Sequence, residues 1–512
     1  MNKREYVNKI YNKLIFIIEI LVSLILGIGI YKISYKYQDF NYISKPYLIL
    51  SLFSLVILIM IIIINIKKYK KQIEKLFITF IIPIGILFMI LLPINFVPDE
   101  ESHMWKTYDI SLGNLITPFG ENNEGKMYVP QELQDLSVER DNLTFSLIHK
   151  HFQKEAGYQN LVPVEAITKT YCPINYLPGA LVFFVCRVFN INILLACYII
   201  RLINFIIFMI VGYYCIKMIP FGKLLLAIYM FLPMFIQQAA SISADSFINN
   251  VSLLFIVYNI KLLYQKEDLN LKQRMLYYIL AIGIALSKYV YFPLVGMSLL
   301  LIKNKNIKKA NRNKLIIISI LVSIISAVAW FVFSQNYVDL REIIIINNVK
   351  PIEQIKYIIH NPIKYLLLFI ENLKTKSGEY IFTFIGSQLA LLNVNIPIIY
   401  ILIMLNGLIG LPFFEKNEKS FEMPQKILLI IIAIVLITLV ITGLYITWTG
   451  VGDNRIAGVQ GRYFVPIFIL ILLSMINKDK NINVKNLEIK YFIVYFIINS
   501  LCLFEVYKYF TL

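Results

Sequence analysis

The chain has 512 residues, of which 58% are hydrophobic and only 16% are charged, and its mean hydropathy is +0.70. Apolar stretches of about 20 residues, long enough to cross a bilayer core, recur along the whole sequence, which excludes an ordinary soluble globular domain. The net charge is 49 − 31 = +18, but the basic residues collect between apolar segments, as in cytoplasmic loops, so we exclude nucleic acid as a partner. The sequence predicts an all-α polytopic membrane protein.

Basic residues near the start of the chain set the predicted topology. Four Lys or Arg residues within the first 13 positions place the N-terminus inside, and no small-residue cleavage site follows, so we expect an uncleaved first span. Spans at about 14–33 and 47–66 return the basic segment 67–75 to the inside. A third span at 76–96 leads to the loop 97–173, whose twelve acidic residues against six basic ones indicate the outer side.

The later loops alternate in the same way. Basic segments 264–274 and 303–314 are predicted inside, which places segment 241–246 outside. The apolar segment 174–190 then has no side left to cross to. Its internal Pro-Gly pair and its length of 17 residues predict that it lies on, or re-enters, the outer leaflet.

These alternations predict about thirteen spans. The spans are expected at 14–33, 47–66, 76–96, 193–214, 221–240, 246–264, 275–287, 289–302, 315–334, 396–414, 426–447, 463–477 and 490–510. Segments 334–348 and 448–462 are expected outside, and region 352–391 is ambiguous. The predicted division is an N-terminal pair of spans (1–75), a main membrane domain with the external loop 97–173 (76–475), and a C-terminal span (476–512). Five scattered cysteines show neither disulfide nor metal-knuckle spacing: Cys172, Cys186, Cys197, Cys215 and Cys502.

Carboxylates stand at the outer membrane edge in two places. In "PDEESH" (98–103), Asp99 follows a proline and suits a helix N-cap, where the helix dipole favours acidic residues. Alternatively, Asp99 acts as a general base, with His103 on the same helix face four residues later. In "SISADS", Ser243 or Asp245 could likewise be a cap, or Asp245 a second site carboxylate. The sequence leaves both alternatives open.

Cations accompany these carboxylates on the same side. An arginine within a span costs about 2.5–3.5 kcal/mol, so Arg201, and Lys288 by the same argument, must face a cavity or pair with a carboxylate. Arg455 and Arg462 lie in a glycine-containing external loop, where guanidinium groups suit bidentate phosphate binding or contact lipid headgroups. The expected substrate-binding residues are His103, Arg201, Lys288, Tyr289, Arg455, Gln460, Arg462 and Tyr463.

Five blocks of sequence carry a family resemblance. They are "VPDEESHMWKTYDISLGNL", "CPINYLPGALVFFVCRVF", "QQAASISADSFINN", "ALSKYVYFPL" and "GVQGRYFVPI". In this order, from about residue 80 to 475, they resemble a bacterial family of multi-spanning membrane proteins called domain of unknown function 2142. That family is similar to the GT-C superfamily of glycosyltransferases, which use sugars linked to polyprenyl phosphate. In this chain the acidic loop follows the third span rather than the first.

The resemblance implies a GT-C-like membrane fold with juxtamembrane helices in the first large external loop. It implies that Asp99 or Glu100 is the catalytic base, and that Asp245 is an accessory carboxylate that could bind Mg²⁺ or Mn²⁺ together with Asp99. A polyprenyl-phosphate sugar would be the donor. The acceptor would be an extracytoplasmic glycan, a teichoic-acid-like polymer or a protein. The expected location is the bacterial plasma membrane, with membrane lipid as a further partner.

Two other functions stay open. A transporter or flippase for lipid-linked sugars would use the same cations, but would also need polar groups that lead into the cytoplasmic half of the membrane. A non-catalytic subunit of a glycan-export complex is the third alternative. The candidate residues above all lie on the outer side, which favours the enzyme.

Overall fold

The computed structural model describes residues 3–116, 119–120, 123–124, 126–138, 144–335, 349–478 and 484–511. The α-helices of these residues, numbered in chain order, are α1 (Lys3–Phe40), α2 (Lys45–Tyr69), α3 (Ile73–Leu91), α4 (Glu100–Ser111), α5 (Gln131–Val138), α6 (Phe145–Gln153), α7 (Leu177–Val188), α8 (Ile193–Met218), α9 (Lys223–Tyr229), α10 (Pro233–Ala239), α11 (Ala244–Leu263), α12 (Leu271–Ser287), α13 (Lys309–Gln335), α14 (Pro351–His360), α15 (Pro362–Ile385), α16 (Ile398–Phe414), α17 (Met423–Trp448), α18 (Val465–Ser474) and α19 (Leu487–Thr511).

Short strands and 3-10 helices complete the fold. The strands are β1 (Phe119–Gly120), β2 (Asn123–Glu124), β3 (Met127–Pro130), β4 (Leu161–Val164), β5 (Gln388–Leu389) and β6 (Val394–Asn395), and the 3-10 helices are Pro173–Asn175, Tyr289–Lys303 and Gly461–Phe464. The strands form three antiparallel pairs, β1–β2, β3–β4 and β5–β6. Helix therefore dominates the fold.

Within the described residues, eight helices are long and apolar enough to cross a membrane: α1, α2, α3, α8, α11, α13, α17 and α19. Four shorter apolar helical segments accompany them, at Leu177–Val188, Tyr289–Lys303, Ile398–Phe414 and Gly461–Ser474. The chain is thus an all-α polytopic membrane protein, as the composition indicates. The number of thirteen spans stays a prediction, because several expected spans are short or broken helices.

Two expected spans differ in form from the prediction. Segment 221–240 contains two short helices, α9 and α10, because Pro233 has no N–H and favours an extended residue before it; Leu232 has φ −72° and ψ 139°. The predicted junction at Lys288 is confirmed, since this residue is extended, with φ −159° and ψ 110°. The second span that differs is 289–302, which forms the 3-10 helix Tyr289–Lys303 and contains Pro293. The ambiguous region 352–391 forms α14, α15 and β5.

Helix α11 lies at the centre of the bundle and packs against α8, α12 and the 3-10 helix Tyr289–Lys303. Helix α3 packs between α8 and α19 on one flank. A glycine makes one of these approaches possible, because a Cβ at Gly85 of α3 would overlap the ring of Phe205 in α8.

The N-terminal helices contact both the bundle and the loop 97–173. Helices α1 and α2 pack on α3, and α1 also packs on α6 of the loop. There the His149 ring lies 3.9 Å from the Tyr35 ring, and Gln38 donates a 2.8 Å hydrogen bond to the carbonyl of Phe510 in α19. The predicted boundary at residue 75 stays a prediction. Most of the expected external segment 334–348 lies outside the described residues.

Candidate functional site

Asp99 occupies the N-cap position of α4 but does not act as its cap in the described structure. Its backbone is left-handed, with φ 64° and ψ 7°, a conformation that costs a non-glycine residue roughly 1–3 kcal/mol and that concentrates at functional sites. Its carboxylate instead accepts a 2.5 Å hydrogen bond from Nη2 of Arg462, and about a third of the side chain is exposed (34%). The capping interpretation therefore does not account for Asp99.

Arg462 joins three separate segments of the chain. Beyond Asp99, its guanidinium donates to the carbonyl of Pro98 at 3.0 Å and to the hydroxyl of Tyr463 at 3.1 Å, and Nη1 lies 3.4 Å from Oδ2 of Asp245. The side chain is almost fully buried, at 2% exposure. The preceding Gly461 has no room for a Cβ, because the backbone at the end of α15 lies against it. Close backbone packing therefore holds Arg462 in place.

Asp245 lies in the first turn of α11 and faces Arg462. The cap of this helix is Ser243, whose hydroxyl accepts a 3.1 Å hydrogen bond from the Asp245 N–H. Because the serine takes the capping role, the Asp245 carboxylate is available to the site. We call the end of the helix bundle that carries Asp99, Arg462 and Asp245 the site end.

Lys288 and a cavity lie beside this cluster. The Lys288 Nζ is 4.4 Å from the centre of the Tyr463 ring, and the Tyr463 carbonyl accepts a 2.8 Å hydrogen bond from the hydroxyl of Tyr291. A cavity of about 160 Å³ opens here. Its lining comprises Thr170, Tyr171, Cys172, Leu286, Ser287, Lys288, Tyr289, Val290, Tyr291, Trp330, Val440, Gly443, Leu444, Thr447 and Tyr463. The walls are mainly apolar, and Lys288 is the charged residue among them.

The charges around Asp99 keep it ionised. Burial by itself would raise the pKa of the Asp99 carboxyl, but Arg462, His103 and Lys288 outweigh burial and lower that pKa below its usual value. His103 is almost fully buried (4% exposed), and burial lowers its pKa to about 4 although Asp99 and Asp245 oppose the shift. His103 is therefore neutral at pH 7, so Arg462 and Lys288 supply the positive charge.

His103 contacts the segment "CPINY" (172–176) and the tyrosine just before it. Its Nδ1 is 2.8 Å from the hydroxyl of Tyr176, which directly follows the 3-10 helix Pro173–Asn175, and the Tyr171 ring packs edge-on against the imidazole at 5.6 Å. Asn175 in turn donates a 2.9 Å hydrogen bond to the carbonyl of Ser287, next to Lys288. A continuous set of contacts thus connects α4 with the end of α12.

The His103 pKa predicts a pH-dependent stability. The pKa of an ordinary histidine is 6.5, and that of folded His103 is about 4. Between these two pH values the unfolded imidazole binds a proton that the folded one does not. The free energy of unfolding therefore falls as the pH falls through this window. We expect the free energy of unfolding to drop by about 2 kcal/mol between pH 7 and pH 5 from this group. Thermal unfolding of wild type and His103→Gln across this range measures it. The same acid loss in both proteins would contradict the assignment.

Glu100 and Arg201 form a separate pair with each other. Both side chains have 0% exposure. Arg201 donates to Oε1 of Glu100 at 2.8 Å and to Oε2 at 2.5 Å, and its remaining hydrogens go to the carbonyls of Met89, Leu92 and Pro93. The two Glu100 oxygens also accept the N–H groups of Asn95 and Ile242. This arrangement matches the structural-pair alternative for Arg201, and it leaves Asp99 as the carboxylate that faces the cluster.

The other expected binding residues are distributed unevenly. Tyr289 lines the cavity and is half exposed, and Gln460, next to the Gly461–Phe464 helix, has a buried Oε1 with no hydrogen-bond partner among the described residues. Arg455 is exposed on the loop after α17 and makes no ion pair within the described part of the chain. The structure thus brings Asp99, Asp245, His103, Lys288, Tyr289, Gln460, Arg462 and Tyr463 near one another, and leaves Arg455, Arg201 and Glu100 out of the cluster.

Comparison with known families gives one match. The family described as "Predicted membrane protein (DUF2142)" matches residues 80–471, more than half of the chain. The chain belongs to this family. No curated protein and no solved structure matches it. The matched range includes both α4 and the 3-10 helix Gly461–Phe464, so the whole Asp99–Arg462 cluster lies within the DUF2142 region, whereas α1 and α2 precede it.

A divalent metal does not suit the arrangement of carboxylates in this DUF2142 chain. Asp99 and Asp245 offer the oxygen ligands that Mg²⁺ and Mn²⁺ prefer. However, the Arg462 guanidinium lies between them and compensates both charges. The described residues contain no group of three His, Cys, Asp or Glu side chains that could hold a metal ion. We therefore derive no catalytic step through a metal.

Several residues of the site escape sequence reasoning. Tyr176 and Tyr171 surround His103, and Trp330 of α13 donates a 2.9 Å hydrogen bond to the carbonyl of Thr170 at the cavity. Of these residues, only Tyr176 could have been found from the sequence, because it is the last residue of the "CPINY" segment. Tyr171 and Trp330 are ordinary aromatic residues in the sequence, and only the approach of α13 to the loop reveals their position.

Proposed function

We propose that this DUF2142 protein is an integral-membrane glycosyltransferase that moves a sugar from a polyprenyl-phosphate donor to an extracytoplasmic acceptor with inversion. The observation that carries the proposal is the Asp99 carboxylate. It is ionised, partly exposed, held in a left-handed backbone conformation and oriented by Arg462 at the edge of the apolar bundle, beside a cavity with a lysine. A structural cap would need none of these properties.

Asp99 would take the role of general base. The acceptor hydroxyl gives its proton to the Asp99 carboxylate while its oxygen forms a bond to the anomeric carbon of the sugar. The bond between that carbon and the phosphate oxygen breaks on the opposite face, and polyprenyl phosphate leaves with the electron pair. Since the attack and the departure are in line, the anomeric configuration inverts. A positioned base contributes typically 10²–10⁴-fold to such a reaction.

Lys288 would stabilise the departing phosphate. Its ammonium lies over the Tyr463 ring, lines the cavity and has no ion-pair partner among the described residues. Arg462, in contrast, is already compensated by Asp99 and Asp245. We therefore assign Lys288 to the phosphate and Arg462 to positioning the two carboxylates, since preorganised charge near the leaving group is worth most in a water-poor site.

The transporter alternative has one observation in its favour. Besides the polar groups at the site end, α11 carries buried polar side chains as far as Asn259, near the opposite end of the bundle. Along α11, polar groups therefore reach from the site end towards the opposite end of the bundle, as a transporter would need. Both activities can be measured on one preparation.

The decisive experiment offers purified, reconstituted protein a panel of polyprenyl-phosphate sugars with extracytoplasmic glycans as acceptors. We expect release of polyprenyl phosphate together with a glycosylated acceptor, and loss of both in Lys288→Ala. Movement of labelled lipid-linked sugar between leaflets without release of polyprenyl phosphate would replace the enzyme by the transporter.

Arg462→Lys tests the positioning role. An ammonium cannot reproduce the fork that reaches Asp99, Asp245 and the Pro98 carbonyl together. Losing one charge-assisted hydrogen bond costs about 1.5–3 kcal/mol, so transfer should fall by about 10- to 100-fold at unchanged donor binding. The matched change Arg455→Lys, at an exposed arginine of the preceding loop, should leave the rate unchanged. Equal effects of the two substitutions would remove Arg462 from the mechanism.

The proposal requires the site end to face outward. The described cysteines are all free and buried, so wild type should react little with an impermeant thiol reagent in intact cells. We expect labelling of Asn454→Cys, at an exposed position in the site-end loop, and none of Lys309→Cys, at an exposed position at the other end. Labelling only at position 309 would invert the topology and exclude an extracytoplasmic acceptor.

A further inference from the structure

A stripe of polar residues runs along one face of the central helix α11. Asp245, Asn249, Ser252 and Asn259 are spaced by four, three and seven residues, which places them within an arc of about 80° around the helix. All four are buried, with exposures of 8%, 4%, 0% and 0%. From Asp245 to Asn259 the helix rises by about 21 Å, at about 1.5 Å per residue, against a hydrocarbon core of about 30 Å.

Each of these side chains has a polar atom without a hydrogen-bond partner among the described residues. The atoms are Oδ2 of Asp245, Nδ2 of Asn249, Oγ of Ser252 and Oδ1 of Asn259. Of these, Asp245 has only the 3.4 Å ion pair to Arg462. Buried polar groups in folded proteins are nearly always hydrogen-bonded to protein or to ordered water. Three atoms without a partner and a carboxylate oxygen with only that ion pair, all on one helix face, therefore point to a shared bound partner.

The hydroxyl of Ser252 differs in its hydrogen bonding from those of two other buried serines of this protein. Two buried serines in other spans, Ser34 and Ser54, donate to the carbonyl four residues earlier, at 2.9 and 2.8 Å, whereas Ser51 of α2 has no partner among the described residues. Ser252 is at least as buried but makes no such bond in the described structure. Since this backbone partner is not used, the Ser252 hydroxyl is available to a partner outside its own helix.

The facing elements supply further polar atoms. Ser298, in the 3-10 helix that packs on α11, is fully buried, and its hydroxyl lies beside that of Tyr277. Near the opposite end, Asn259 donates a 2.5 Å hydrogen bond to the hydroxyl of Tyr277 in α12. The stripe is therefore lined by polar groups from more than one helix, and it ends at Tyr277.

We propose that this stripe holds an internal file of water molecules between Asp245 and Tyr277. A buried water makes two to four hydrogen bonds, and it can donate and accept alike, so it suits the mixed set of carboxylate, amide and hydroxyl atoms. The file gives the Asp245 carboxylate the hydrogen-bond donor that its Oδ2 lacks in the protein. It thereby hydrates the second carboxylate of the site from within the bundle.

Radiolytic hydroxyl-radical footprinting of the reconstituted protein tests the proposal, because internal water generates radicals next to buried side chains. Tyr277 is the probe. Tyr229 and Tyr495 are the matched controls, since they are equally buried and their hydroxyls donate to the carbonyls of Val465 and Met404. We expect Tyr277 to be modified severalfold faster than either control. Modification of Tyr277 at the control rate in wild type would overturn the proposal.

A double variant, Asn249→Leu with Ser252→Ala, locates the water. We expect it to reduce Tyr277 modification towards the Tyr229 rate and to lower the midpoint of thermal unfolding, because bound waters lose their partners. In a dry interior the same change removes unsatisfied polar groups and raises that midpoint. A raised midpoint with unchanged Tyr277 modification would therefore also overturn the proposal. Neither readout depends on transfer activity, so the result is independent of the proposed enzyme.

Discussion

Replacing Asp99 with Asn is expected to reduce sugar transfer by about 10²–10⁴-fold, the usual contribution of a general base, while the fold is kept. Asn preserves the shape of the side chain, tolerates the left-handed backbone at φ 64° and can still accept a hydrogen bond from Arg462. The basic carboxylate is lost, and with it the negative charge that pairs with Arg462. Because Asp99 is partly exposed and Arg462 keeps Asp245 and Pro98 as partners, the free energy of unfolding should change by about 1 kcal/mol or less.

The measurement is the release of polyprenyl phosphate by purified wild type and variant, together with thermal unfolding of both. Asp453→Asn is the matched control, since it makes the same chemical change at an exposed aspartate of the site-end loop. It should retain full activity. If Asp99→Asn transfers sugar at the wild-type rate, Asp99 is not the base, and a binding or transport protein becomes the better description.

Replacing Glu100 with Gln is expected to have the largest effect on stability, about 3–5 kcal/mol, because it leaves the buried Arg201 charge without its counter-ion. All four hydrogen-bond positions on the two Glu100 oxygens accept donors from Arg201, Asn95 or Ile242. A Gln amide nitrogen would meet two of these donors with a donor of its own. We therefore expect Glu100→Gln to express less well and to unfold at a lower midpoint. Any loss of transfer activity should follow from this loss of stability.

Glu379→Gln provides the matched control for this second change. Glu379 pairs with Lys376 on the surface of α15, with both side chains about half exposed, so removal of its charge should cost at most about 1 kcal/mol. Normal stability of Glu100→Gln with abolished transfer would contradict the structural assignment. It would make Glu100, rather than Asp99, the base of the reaction.

Asp99→Asn and Glu100→Gln thus separate two neighbours that the sequence presents as equivalent. Both are carboxylates in one short polar segment, and both were candidates for the base. In the structure, Glu100 points into the bundle and Asp99 points to the cluster, because the left-handed turn at Asp99 starts α4 with the two side chains on different sides.

Composition and apolar length alone predict the class of this protein and the positions of its long apolar helices. Long apolar stretches must be buried in lipid, and backbone groups in lipid must be bonded internally, so length and composition suffice to predict a polytopic helical protein. Local chemistry also sufficed for the junction at Lys288 and for limiting Arg201 to two environments, a cavity or a carboxylate partner. These properties depend on residues near one another in the chain.

The pairing of the charged residues depends on contacts between distant parts of the chain. Arg201 pairs with Glu100 across 101 residues, and Arg462 pairs with Asp99 across 363 residues, although both arginines were candidates for the same role. The break of segment 221–240 into α9 and α10 and the buried polar stripe of α11 likewise became clear only from packing. Hydrophobic periodicity assigns a residue to a helix face, but the partner of that face depends on how distant helices pack, and no local pattern records it.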